Sequence, residues 1–139
     1  MSELSQLIQN VDSIDALLSS RQMDTRDFSA WVSELMVNKN LKRNEVIRKS
    51  QLNQTFAYQI LSGSRHASRD KLIQLAFGMN LNSDEASELL ERGGSNGLST
   101  NNRRDLIVAF CLEKHISLVS CDNLLWRYGE DTVSPSTER

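Results

Sequence analysis

Residues 41–72, LKRNEVIRKSQLNQTFAYQILSGSRHASRDKL, constrain the fold more than any other stretch. Val46, Ile47 and Ser50 share one face of a short helix, while Lys42, Arg43, Arg48 and Lys49 stay outside it. The chain then turns at Gln51-Leu52, and Asn53 is a good N-cap because its side-chain oxygen can accept from the free amides of the next turn. The helix opened there, over residues 54–61, places Ala57, Ile60 and Leu61 inward at helical spacing. Gln54, Thr55, Tyr58 and Gln59 point elsewhere. Gly63 supplies a left-handed stop, Ser64-Arg65-His66 forms a polar, basic loop, and Ser68 caps a further helix. Together these elements read as part of an all-α fold.

Charge is concentrated in the same stretch. The whole chain carries −2, yet Lys42, Arg43, Arg48, Lys49, Arg65, Arg69 and Lys71 against Glu45 and Asp70 leave residues 41–72 at +5. Residues 1–40 come to −3 and residues 73–139 to −4. One basic segment in an otherwise acidic chain is what a confined phosphate-binding face looks like. An apolar anchor, a turn, a helix with an amide-rich outer face and a basic loop together point to a DNA-binding helix-turn-helix.

The order and spacing of Leu41, Val46-Ile47, Leu52-Asn53, Ile60, Gly63, Leu72, Leu75-Ala76 and Leu81 resemble the Cro/phage-repressor type of helix-turn-helix domain, the xenobiotic-response-element family. The resemblance covers roughly half the chain. Ala67 stands where many members have Pro, Gln51 where Gly is common, Leu61 where Glu often sits, and Lys42 at the usual Ser/Thr cap. The resemblance implies a five-helix bundle over residues 23–94 and sequence-specific binding to double-stranded DNA. It makes Gln54, Thr55 and Gln59 the base readers, with Arg43 joining them or clamping phosphate. Lys42, Asn53, Ser62, Ser64, Arg65, His66 and Arg69 are then expected at the DNA backbone, and Tyr58 either touches sugar-phosphate or packs half-buried. Phe56 occupies a place that is usually small and polar.

Outside that bundle, residues 2–19 carry Leu4, Leu7, Val11, Ile14 and Leu18 at alternating gaps of three and four, the spacing of a coiled-coil seam. A single N-terminal helix within residues 1–22 is expected, packing on the chain's own helices or pairing two chains. Phe28, Trp31, Val32, Leu35 and Met36 read as core residues of a helix capped by Asp24 or Thr25. Over residues 69–79 a strong amphipathic pattern follows, stopped by Asn80, and Asn82 with Glu85 fits a capping box. Gly93-Gly94-Ser95-Asn96-Gly97 marks a linker. Residues 95–129 then read as a C-terminal αα-hairpin, with Ser117 capping its second helix and Gly129 ending it. Residues 130–139 are expected to be disordered. No internal repeat stands out in the sequence.

Other functions find little footing. No segment reaches the roughly 20 apolar residues of a membrane span, and residues 1–20 lack the basic start and apolar block of a signal peptide. Cys111 and Cys121 lack metal-ligand spacing and read as reduced core thiols, which makes a cytoplasmic protein the expectation. Gly93-Gly94 follows no strand and has no GK[ST], so it is no phosphate loop. His66 and His115 sit in no nucleophile motif. No enzyme activity, cofactor or metal is expected. The sequence leaves two function classes open, a DNA-binding regulator working as a homodimer through its terminal helices, and a repressor-like bundle that binds protein instead.

Overall fold

The computed structural model describes residues 2–19 and 27–135. Among them the protein is all-α, with nine helices and no strands. They are α1 (Glu3–Gln9), α2 (Ile14–Ser19), α3 (Phe28–Asn38), α4 (Arg43–Ser50), α5 (Gln54–Leu61), α6 (Arg69–Gly78), α7 (Ser83–Arg92), α8 (Arg103–Glu113) and α9 (Leu118–Arg127).

Four of the connections repeat one three-residue device. A left-handed residue ends the helix, an apolar residue tucks inward, and the third residue caps the next helix. Asn40-Leu41-Lys42, Gln51-Leu52-Asn53, Asn80-Leu81-Asn82 and His115-Ile116-Ser117 all follow it, with φ between 56 and 59° at the first position. Short connections of this kind place successive helices against one another. Asn53, Asn82 and Ser117 accept from the amide three residues on, and Asn82 with Glu85 completes the expected capping box. Lys42 has the extended cap backbone but no side-chain bond.

A single apolar core runs from α3 to α9, with Val32, Ile60, Leu72, Leu75, Leu89 and Leu125 almost wholly enclosed. Each such side chain contributes about 1.5–3 kcal/mol by leaving water. Helix α6 is its axis, buried from Leu72 to Gly78. It lies so close to α4 that a Cβ on Gly78 would sit 2.4 Å from the Val46 carbonyl oxygen. Nearby, the buried Gln74 amide donates to the Ser50 carbonyl at 3.0 Å, satisfying a helix end that has no intrahelical partner.

The hairpin α8–α9 repeats α6–α7 at an offset of 35 residues, a relation the sequence reading passes over. Arg69-Asp70 answers to Arg104-Asp105, Asn80 to His115, Leu89-Leu90 to Leu124-Leu125, and Gly94 to Gly129. The hydrogen bonds correspond as well. Arg69 donates to the carbonyls of Asn96 and Gly97, and Arg104 to those of Asp131 and Thr132. The Leu98 amide donates to Ser87 and the Val133 amide to Asp122. The two units exchange ion pairs: Arg69 grips Asp105 through two bonds of 2.8 and 2.9 Å, and Arg104 grips Asp70 through two of 2.9 and 3.2 Å. At the other end, Asn80 Oδ1 and His115 Nδ1 lie 3.0 Å apart. Helices α6 and α8 are therefore tied at both ends and run in the same direction.

Three expectations are corrected. Residues 2–19 form two short helices, because Asn10, Asp12 and Ser13 fall together and such side chains compete with the helix for backbone bonds. Ser13 Oγ accepts from the Ala16 amide and restarts the chain as α2. Neither helix buries a residue, and helices of seven and six residues cannot make a coiled-coil seam. The C-terminal tail is ordered through residue 135, held by Arg104 and by Asp122, with Val133 buried. Its last four residues lie outside the described part of the chain. Asp27 caps α3, and the expected caps Asp24 and Thr25 also lie outside it.

Candidate nucleic-acid interface

Helix α5 is anchored from below. Ala57, Ile60 and Leu61 are buried, so Gln54, Thr55 and Tyr58 are left on the outer face, all exposed. The Asn53 side chain accepts from the Phe56 amide at 3.1 Å and fixes the start of the helix. Lys42, Arg43, Arg48 and Lys49 on or beside α4 are exposed, with Glu45 the one acid on that helix.

Beyond α5 the chain turns at Gly63, whose φ of +80° is left-handed as expected. The loop folds back on the helix end. Ser62 and Ser64 hydroxyls both donate to the Gln59 carbonyl, at 3.1 and 3.3 Å. Arg65 donates to Gln59 Oε1 at 3.3 Å, and its guanidinium lies 5.2 Å from the Phe56 ring centre. The unexpected aromatic at Phe56 thus has a use, since it shelves the loop arginine beside the outer face of α5. Gln59 is half-buried and engaged by Arg65, while Gln54 and Thr55 stay open. His66 is exposed at the rim.

The structure brings Lys42, Arg43, Asn53, Gln54, Thr55, Tyr58, Gln59, Ser62, Ser64, Arg65 and His66 onto α4, α5 and the loop that follows. It removes Arg69 from this set. Its guanidinium is spent on Asp105, Asn96 and Gly97, on the side of α6 that meets the second hairpin, and that corrects the expectation of a phosphate clamp. Burial pushes the Asp105 carboxyl up, but Arg69, the Ser99 amide and Arg104 outweigh it and hold it below its ordinary value. At the α3–α7 contact, burial raises Glu85, while the Asn82 amide and Lys39, 3.0 Å away, bring it lower overall.

Other chemistry finds no comparable arrangement. Cys111 and Cys121 are free and buried, and burial pushes both thiols up, away from the reactive thiolate. Among the described residues no group of three or more His, Cys, Asp or Glu side chains is placed to hold a metal, and no helix is long and apolar enough to cross a membrane. No family model, curated protein or solved structure matches this chain.

Proposed function

We propose that this chain is a sequence-specific double-stranded DNA-binding protein, a transcriptional regulator of prokaryotic or phage type acting in the cytoplasm. Helices α4 and α5 serve as its helix-turn-helix, and α5 enters the major groove. The observation that carries this reading is the outer face of α5: open Gln54 and Thr55 on a helix whose other side is locked into the core, with the loop cation Arg65 laid against the same helix. A helix fits the B-DNA major groove, and a glutamine that donates and accepts together matches the edge of adenine. Gln54 and Thr55 read bases, and Arg43 joins them or takes phosphate. Gln59 reads through or beside Arg65. The serine hydroxyls, His66 and Lys42 hold the backbone, which sets register without specifying sequence. No catalytic step and no cofactor belong to this function.

One short reading helix rarely separates a target from genomic competition, so paired chains on two half-sites complete the reading. The test is selection of bound sites from random duplexes, followed by Gln54→Ala. The expected result is a recovered motif that the variant reads less sharply, by about 1–3 kcal/mol between cognate and altered sites. Absence of duplex binding at low salt favours the second reading, a protein-binding bundle, which Phe56 and Tyr58 on the same helix keep in view.

A further inference from the structure

The internal repeat says what an open face of the second hairpin is for. In the first hairpin, Leu72, Leu75 and Leu89 are fully buried. Phe28 of α3, Ile60 of α5 and Leu72 line one small cavity. Helix α3 runs antiparallel along α7, with Trp31 under Arg92 at 5.0 Å and Lys39 on Glu85 at 3.0 Å. The corresponding residues of the second hairpin, 35 positions on, are Ile107, Phe110 and Leu124. Among the described residues they are only partly covered, with Ile107 and Leu124 half-buried against the core. Phe110 is 53% exposed, and with Leu106 and Tyr128 these side chains line an apolar groove of about 650 Å³.

We propose that this groove receives the apolar side of α1 and α2, residues 3–18, from a second copy of the chain. The inference names the contact for the paired chains proposed above and rests on that pairing. The segment has the matching chemistry. Leu4, Ile8, Ile14 and Leu18 are all more than half exposed, and neither α1 nor α2 buries a residue in its own chain. These four side chains and Phe110 leave apolar surface in water that a contact between copies would bury. Charge agrees: the segment carries Glu3, Asp12 and Asp15 and no cation. Arg103 lines the groove with its side chain 65% exposed, stacked on Tyr128 and 3.8 Å from Glu130, and Arg127, exposed and three residues after Leu124 on α9, flanks it. An apolar helix face laid into a groove with opposite charges at the rim is a recurrent mode of recognition. Exchange in both directions gives a closed pair, with two such contacts.

The test uses the full chain and three proteins. Wild type, Phe110→Asp in the groove and Ile8→Asp in the segment are compared by light scattering at tens of micromolar and by thermal unfolding. The expected result is a wild-type dimer, two folded monomeric variants, and recovery of a dimer when the variants are mixed, because the mixture retains one intact groove and one intact segment that fit. A monomeric wild type overturns the pairing and this contact together. A dimer that survives Phe110→Asp overturns the contact alone, and so does a mixture that stays monomeric.

Discussion

The two hairpins of this protein share turns, arginine clamps and ion pairs, yet one is interior and the other is half surface. In α6–α7 Leu72, Leu75 and Leu89 are fully buried, and Leu72 lines a small cavity with Phe28 and Ile60. In α8–α9 the same positions hold Ile107, Phe110 and Leu124 at the edge of an open groove. The difference lies in what covers each, because the unit's local construction is the same. A helical hairpin supplies one face to its own core and needs a partner for the other. Here the chain provides that partner once.

The comparison predicts unequal costs at equal positions. Leu75→Ala should lower unfolding free energy by about 3 kcal/mol, the transfer loss plus a cavity. Its counterpart Phe110→Ala should cost less than about 0.5 kcal/mol when chemical denaturation is followed at protein concentrations low enough to separate paired chains. Similar losses at both positions would mean that the groove is closed within one chain.

The exchanged ion pairs are the next point of difference. Asp105 is enclosed, with 5% of its side chain exposed, whereas Asp70 is 42% exposed. Asp105→Asn should cost about 2 kcal/mol or more by leaving Arg69 partly buried without its partner, and Asp70→Asn well under 1 kcal/mol. The Asp105 carboxyl is held below its ordinary value of 3.8 in the fold. Its contribution is therefore complete above about pH 4 and is lost as pH falls through the lowered value. Acid unfolding followed by circular dichroism should show a shallower fall below pH 4 in Asp105→Asn than in wild type.

Two smaller effects come from the shared turn. Lys42 is the one cap among the four turns without a side-chain bond, and its charge opposes the dipole of α4. Lys42→Ser should raise stability by about 0.5–1 kcal/mol while weakening duplex binding on every sequence alike. Unchanged affinity at low salt would take Lys42 off the DNA backbone. Gln51 is left-handed at φ 59°. Gln51→Gly should relieve that conformation and stabilise by up to about 0.5–1 kcal/mol, measured as a shift in denaturant midpoint.

Much of this was legible because it is local. Asn53, Ser68, Asn82 and Ser117 announce their helices through cap chemistry, Gly63 and Asn80 announce stops, and the inward faces of α4 to α7 follow from helical spacing. What escaped depends on distant partners. Arg69 lies beside the basic loop in sequence, and only the return of the chain at Asp105 shows where its charge goes. Residues 130–135 look polar and unstructured until Arg104 and Asp122 are seen to hold them. The repeat did leave a trace, in Arg-Asp, Leu-Leu and Gly recurring at one interval. Divergence at the intervening core positions hides it, since Ala76 and Cys111, or Phe77 and Leu112, fill equivalent places without resembling each other.

The glycine-rich connection between α7 and α8 has a mechanical consequence. Its sequence reads as a hinge, but Arg69 holds the carbonyls of Asn96 and Gly97, Ser87 takes the Leu98 amide and Asp105 the Ser99 amide. The second hairpin is thus carried rigidly, at a fixed angle to α5. On the proposed pairing, chains joined through that hairpin would hold their α5 helices at one separation and one rotational phase. Inserting a single base pair between half-sites turns one of them by about 35° about the duplex axis, as ten or so base pairs make one turn. A stiff pair could not follow that rotation without straining its clamps, so on the proposed reading the protein would gauge the distance between its two targets as strictly as their letters.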